Sequence, residues 1–268
     1  MTTDTAQQQS RGRAWFTLLT GEAGTTALGS VLSAEGRLGD ETAQFIAVVP
    51  DPEGKFPRVH AGEVGLEEGW TLAAEVRKVI AADVGRDVKR PIVAVVDVPS
   101  QAYGYREELV GIHQSLAASA DAYASARLAG HPVVAFIVGK AISGAFLAHG
   151  LQANRLVALD DDAVQVQVMG KESAARITRR TLAELDEAAK SVPATAYDVR
   201  SFATLGALHE LLPGDTDLEQ ARAVLVETVA DARGGPRDLS TRLTSPEARR
   251  ARAASAEVRR RLAETWEE

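Results

Sequence analysis

The sequence predicts an α/β protein, a largely parallel sheet with helices packed over its faces. Strand-like and helix-like segments alternate through the middle of the chain, which requires crossover connections. The runs RPIVAVVDVP, from Arg90, and HPVVAFIVG, from His131, are apolar almost without interruption, as strands buried on both faces are. Each run leads directly into turn-forming residues, SQAYG and KAISGA, at the strand ends where open α/β sheets bind ligands.

Taken in order, residues 1–13 read as a polar, disordered tail and 14–268 as a single domain, with 214–268 a helical extension. Ala14–Thr20 begins the ordered chain with Trp15 and Phe16. A short strand is expected near Ser30–Ser33, and Thr42–Pro50 reads as a strand ended by the turn signal DPEG. Leu66, Trp70, Leu72, Val76 and Ile80 share one face of a helix over Gly65–Ala82. The strand Ile92–Val98, a helix around Glu107–Ala129, the strand Val133–Val138 and a helix opening at Ser143 follow. Short strands are expected at Asn154–Leu159 and Ala163–Val168, then helices in MGKESAARITRR, Leu182–Lys190 and Ala196–Leu212. Asp217–Arg233 reads as helical, and Ser245, Pro246 and Glu247 supply an N-cap, a first-turn proline and an early carboxylate for a last helix reaching Trp266. That helix is rich in Arg and Glu, which suits a solvated surface helix or a partner-binding arm.

Composition narrows the function classes. The 268 residues are 45% hydrophobic and 25% charged, and the apolar runs are too short to span a bilayer as a helix. No cysteine is present, so disulfides, thiolate ligands and cysteine nucleophiles are excluded. The start MTTDTAQQQSRGR lacks the apolar core of a signal peptide, so a cytoplasmic protein is expected. With 30 basic and 37 acidic residues the net charge is −7, and no basic stripe with interleaved aromatics points to nucleic acid. The sequence has no HExxH and no GxSxG, so a metal site and an α/β-hydrolase nucleophile are not expected.

Candidate chemistry gathers at two turns. Ser143, Gly144 and Ala145 open a helix behind a glycine turn, where unpaired N–H groups stabilise a developing negative charge. Ser100, Gln101 and Ala102, at the other strand end, are the expected partners in such an oxyanion site. Tyr103, Gly104, Lys140 and Ile142 flank the turns as candidate substrate contacts, and His149 is a candidate proton carrier. Each has a plain structural alternative: Asp97 capping nearby amides, small residues for tight packing, and a histidine packed in the core.

The segments DVPSQAYG at 97–104, GIHQ at 111–114, GKAISGAFLAHG at 139–150, QVMGKESAARIT at 167–178 and LGALHELL at 205–212 together resemble the carboxyltransferase branch of the crotonase-like superfamily. More closely, they resemble the gamma subunit of biotin-independent malonate decarboxylase. The resemblance implies a crotonase-like spiral of ββα units with C-terminal helices. It implies a site shared with a homologous beta subunit, further partners in an acyl carrier protein subunit and an acyl-carrier-protein transferase subunit, and no directly bound cofactor. The substrate would be malonate held as a thioester on a dephospho-coenzyme A-derived arm of the carrier protein, released as the acetyl thioester. Where biotin-dependent carboxyltransferases commonly carry DVPG followed by an aromatic residue, this chain has DVPSQ, which favours the biotin-independent branch. The competing expectations are a biotin-dependent carboxyltransferase subunit of a malonate decarboxylase or acyl-CoA carboxylase, a noncatalytic scaffold subunit, and a free-standing crotonase-like hydratase or hydrolase. The last is disfavoured by the lack of a glutamate pair in the two turns.

Overall fold

The structure, a computed structural model, describes residues 10–266. In chain order its elements are α1 (Arg11–Thr20), β1 (Val31–Leu38), β2 (Glu41–Val48), α2 (Leu66–Ala82), β3 (Ile92–Val98), α3 (Tyr105–Leu109), α4 (Ile112–Leu128), β4 (Val133–Ile142) and α5 (Ser143–Ala148). There follow β5 (Arg155–Asp160), β6 (Gln165–Gln167), α6 (Lys171–Thr178), α7 (Leu182–Ser191), α8 (Val199–Ala203), β7 (Glu210–Pro213), α9 (Leu218–Gly234), α10 (Pro246–Ala251) and α11 (Ala253–Trp266). The sheet order is β1-β2-β3-β4-β5-β7, with β6 paired to the far end of β4. Among the described strands β1 and β2 pair antiparallel and the other strand pairs are parallel, as the alternation predicts.

β3 and β4 carry the core. Ile92–Val96 and Val133–Val138 are all 0% exposed, and each fully buried Val, Ile or Phe contributes roughly 1.5–3 kcal/mol. Their register holds from Ile92↔Val133 to Val96↔Ile137 and then jumps to Val98↔Ala141, so β4 bulges around Gly139. The bulge frees the Lys140 amide from the ladder, and Asp97 accepts it at 3.1 Å while also accepting Gly12 N–H at 3.1 Å. A Cβ on Gly139 would overlap that carboxylate. Beyond the bulge, Lys140, Ala141 and Ile142 pair with β6, which explains why β4 outlasts the expected Val138.

At the opposite edge, Asp83 ends α2 fully buried and clamps the start of β3. Its carboxylate accepts from Arg90 N at 2.8 Å, Nε at 2.9 Å and Nη2 at 2.7 Å. Burial opposes the charge, but these bonds hold the Asp83 carboxyl below its usual range. Glu68 is also buried, between Ser30 Oγ (2.6 Å) and Gly65 N–H (3.0 Å), and burial raises its pKa.

Several expectations are corrected. The ordered chain begins earlier than Ala14: Ser10 Oγ caps α1 on Arg13 N–H, and Arg11 reaches Val138 O at 2.6 Å and Asp161 at 3.0 Å, long-range contacts that a polar stretch does not announce. Residues 1–9 of the expected tail lie outside the described residues. The helix expected over Glu107–Ala129 is two, α3 and α4, broken at Gly111 with φ +86°. Trp70 is 48% exposed and stands outside the core face of α2. Of Ala196–Leu212 only Val199–Ala203 is helical; Gly206 turns at φ +71°, and Glu210–Pro213 becomes a strand because β5 offers it a free edge, a tertiary pairing that overrides helix propensity. The last helix breaks at Arg252 into α10 and α11.

Candidate active site

The loop after β3 is pinned before it reaches any ligand. Val64 N–H donates to Ser100 O at 3.0 Å, and Ala102 N–H donates back to Val64 O at 2.9 Å. Tyr103 and Gly104 N–H donate to the carbonyls of Gln101 and Ala102 at 3.0 and 3.1 Å. The amides of Ala102, Tyr103 and Gly104 are therefore engaged within the loop, so of the expected backbone donors at this strand end that of Ala102 is spent on Val64. The loop instead delivers a side chain. Gln101 Oε1 accepts Gly144 N–H at 2.7 Å and Ser143 Oγ–H at 3.1 Å. Because Gly144 N–H is only a donor, it fixes the carboxamide with its oxygen toward the turn.

Ser143 opens α5 at φ +64°, a left-handed conformation that is costly for a residue with a Cβ. The turn into α5 and the hydroxyl bond to Gln101 hold it there. A β-branched side chain makes this strain worse: Ser143→Val is expected to lower unfolding free energy by about 2 kcal/mol, measured by urea denaturation. A loss under about 0.5 kcal/mol, the range of an ordinary surface change, would show the turn to be unstrained.

Gln101, Ser143 and Gly144 form the polar wall of a cavity of about 440 Å³. Its other walls are largely apolar and come from Phe146, Leu147 and Leu151, from Val166 and Val168 around β6, and from Phe202 and Leu205 around α8. Gln167 fixes the β6 side by donating Nε2–H to Ala196 O at 2.9 Å and accepting Val168 N–H at 2.7 Å. A largely apolar pocket with a few fixed polar groups is the usual form of a small-molecule site. Leu147 and Val168 at its wall are 50% and 72% exposed, and Tyr105, Leu109 and Val110 on the neighbouring α3 region are exposed as well.

The remaining candidates fall outside this wall. Lys140 is exposed at the bulge with its amide on Asp97, and Ile142 is buried against β6. Tyr103 lies on the surface with the Arg58 guanidinium over its ring at 4.8 Å, and Gly104 starts α3. Ala145 is fully buried behind Gly144. His149 is corrected as a proton carrier: it is fully buried, with Nε2 3.0 Å from Val95 O and Nδ1 3.0 Å from Tyr123 Oη. Nε2–H then donates to the carbonyl while Nδ1 accepts the phenol, so both ring nitrogens are engaged, and burial pushes the pKa down to about 4. The apolar walls were missed in the sequence. Phe202 and Leu205 stood inside an expected helix, and only the interruption at Gly206 signalled otherwise.

The model of the malonate decarboxylase gamma subunit family matches residues 59–266. A crystal structure of a Pseudomonas malonate decarboxylase hetero-tetramer in complex with coenzyme A contains a chain 52% identical to this one, with TM-score 0.90, covering 96% of this chain and 100% of that one. The MdcD-MdcE hetero-dimer of Pseudomonas malonate decarboxylase gives 50% identity and TM-score 0.86, over 96% of this chain and 99% of that one. The malonyl-S-ACP:biotin-protein carboxyltransferase of Malonomonas rubra is 40% identical over 182 residues, 67% of this chain; the chain spans 61% of that protein's length. The fold is crotonase-like, as expected. With three quarters of its length inside one family's pattern, the chain belongs to the malonate decarboxylase gamma subunit family.

Proposed function

We propose that the chain forms, with a homologous beta subunit, the site at which a malonyl thioester on an acyl carrier protein is decarboxylated to the acetyl thioester. In this reaction the bond between the α-carbon and the carboxylate breaks, its electron pair moves onto the thioester carbonyl as an enolate, and carbon dioxide leaves. A proton from water or a partner group then completes the acetyl carbon. The observation that carries the reading is the 2.7 Å bond from Gly144 N–H to Gln101 Oε1 at the cavity wall. The side-chain oxygen stands where a substrate oxygen would sit, beside one fixed amide and the Ser143 hydroxyl. Gln101 swings aside as the thioester enters, and the enolate oxygen takes its donors. One such donor typically contributes about 3 kcal/mol to the transition state. The exposed apolar side chains at and near the cavity suit burial against the beta subunit, which would also exclude water. The carrier protein, its dephospho-coenzyme A-derived arm, the transferase subunit and a cytoplasmic location belong to the same proposal.

The Malonomonas relative's biotin-protein carboxyltransferase activity favours a second reading, transfer of the carboxyl group to biotin. Avidin discriminates between them. Decarboxylation of malonyl thioester by the beta–gamma complex at an unchanged rate in excess avidin is expected. Inhibition by avidin, relieved by added biotin, would move the chain to the carboxyltransferase reading.

A further inference from the structure

A second cavity, of about 230 Å³, is lined by Gly206–His209, which directly follow Phe202 and Leu205 of the first cavity in sequence. Its polar lining is Asn154, Arg155, His209, Thr241, Arg242 and Ser245, with no carboxylate among the lining residues. Asn154 is 2% exposed. Its Oδ1 accepts Val133 N–H at 2.9 Å, which leaves the –NH2 as a donor without a protein partner among the described residues. Arg155 is 7% exposed, pairs through Nε with Asp231, and donates from Nη1 to Thr241 Oγ1 at 3.2 Å.

Among the described residues Arg242 is held by carbonyl oxygens alone. Nη1 donates to Leu151 O at 2.8 Å, Nη2 to Ala153 O, and the buried Nε has no partner among the described residues. Burial and the nearby guanidinium groups of Arg127, Arg252 and Arg155 push its pKa down to about 10. Arg127 is likewise bound to carbonyl oxygens, those of Gln152 and Arg237. Asp231 faces Arg155 and, at 3.9 Å, His209, and Asp238 acts on Arg127, whereas Arg242 has carbonyl partners alone among the described residues; its buried positive charge costs free energy until an anion is present.

We propose that this cavity is an anion site for a phosphoryl group, received by Arg155, Arg242, His209, the Asn154 amide and the Thr241 and Ser245 hydroxyls. Guanidinium groups match phosphate oxygens geometrically, and the neutral donors around them supply hydrogen bonds to its remaining oxygens. Bound phosphate would also tie the 240–245 segment to the turn 151–154, whose Leu151 lines the first cavity. Phosphate binding at this cavity is independent of decarboxylation and is read as binding alone.

The test is calorimetric titration of the full-length chain with inorganic phosphate, alongside thermal midpoints in phosphate and in chloride at matched ionic strength. Saturable binding and a midpoint raised by phosphate beyond chloride are expected. Arg242→Gln is expected to weaken phosphate on the order of tenfold or more, the loss of one charge-assisted contact. If Arg242→Gln does not fold by circular dichroism, the Thr241→Val/His209→Gln double variant reads the same site and is expected to weaken phosphate at least about fivefold. Equal shifts in phosphate and chloride, or unchanged phosphate affinity in every folded variant, would overturn the site and leave the arginines as turn clamps. Coenzyme A and pantetheine are then added as competitors. Displacement of phosphate by coenzyme A alone would assign the group to a thioester-carrying arm; displacement by neither would assign it to free phosphate.

Discussion

Gly144→Val is expected to reduce decarboxylation of malonyl thioester by about 100-fold or more while leaving the chain folded and able to assemble. A Cβ at position 144 would overlap Gln101 Oε1 and stand where the proposed substrate oxygen must sit. Loss of one oxyanion donor typically costs about 10²–10³ in rate. The backbone at Gly144 is outside the left-handed region, so the substitution carries no conformational strain of its own. Carbon dioxide release by the beta–gamma complex and the chain's thermal midpoint check the two halves of this prediction. Activity within tenfold of the parent, with the variant folded and assembled, would remove Gly144 from the oxyanion site.

The second large effect concerns stability against acid. His149 is neutral in the folded chain down to about pH 4, whereas in the unfolded chain it takes up a proton near 6.5. The folded pKa lies below the unfolded one, so the unfolded state binds the extra proton in between. Stability is fully present above about pH 6.5 and falls as the pH drops toward 4, by about 3 kcal/mol from this group alone. Burial lowers the His131 pKa too, with the same sign, while Glu68, whose pKa is raised, works in the opposite direction. The comparison that isolates His149 is therefore parent against His149→Gln, each measured by urea denaturation from pH 7.5 to 4.5. The variant is expected to be less stable at neutral pH and to show a shallower loss toward acid. It is also expected to retain activity within a few fold at neutral pH when folded. Equal pH slopes would mean that His149 titrates alike in the native and unfolded states, and loss of activity in a fully folded variant would return it to the chemistry.

The strand ends that build the site were legible because their signals are local. Ile92–Val98 is β3 with the boundaries its apolar run predicts, and a helix does open at Ser143, directly after β4. The use made of those ends was not legible. Whether Ala102 offers its amide or spends it on Val64 depends on a contact 38 positions away in sequence, and the Gln101 side chain crossing to Gly144 is likewise a long-range fact. Histidine 149 illustrates the same limit: its sequence neighbours permit either role, and only Tyr123 and Val95, brought in by α4 and β3, decide it. The strand β7 was hidden because LHELL is good helix-forming sequence until β5 offers it a partner. Arg242 gave no local sign of its reach to Leu151 and Ala153.

A decarboxylation site shared by gamma and beta is decided by carbon dioxide release from malonyl thioester, measured for gamma alone, for beta alone, and for the two mixed. Release by the mixture only is the predicted result. Full release by either subunit alone, or none from a folded and assembled mixture, would contradict it.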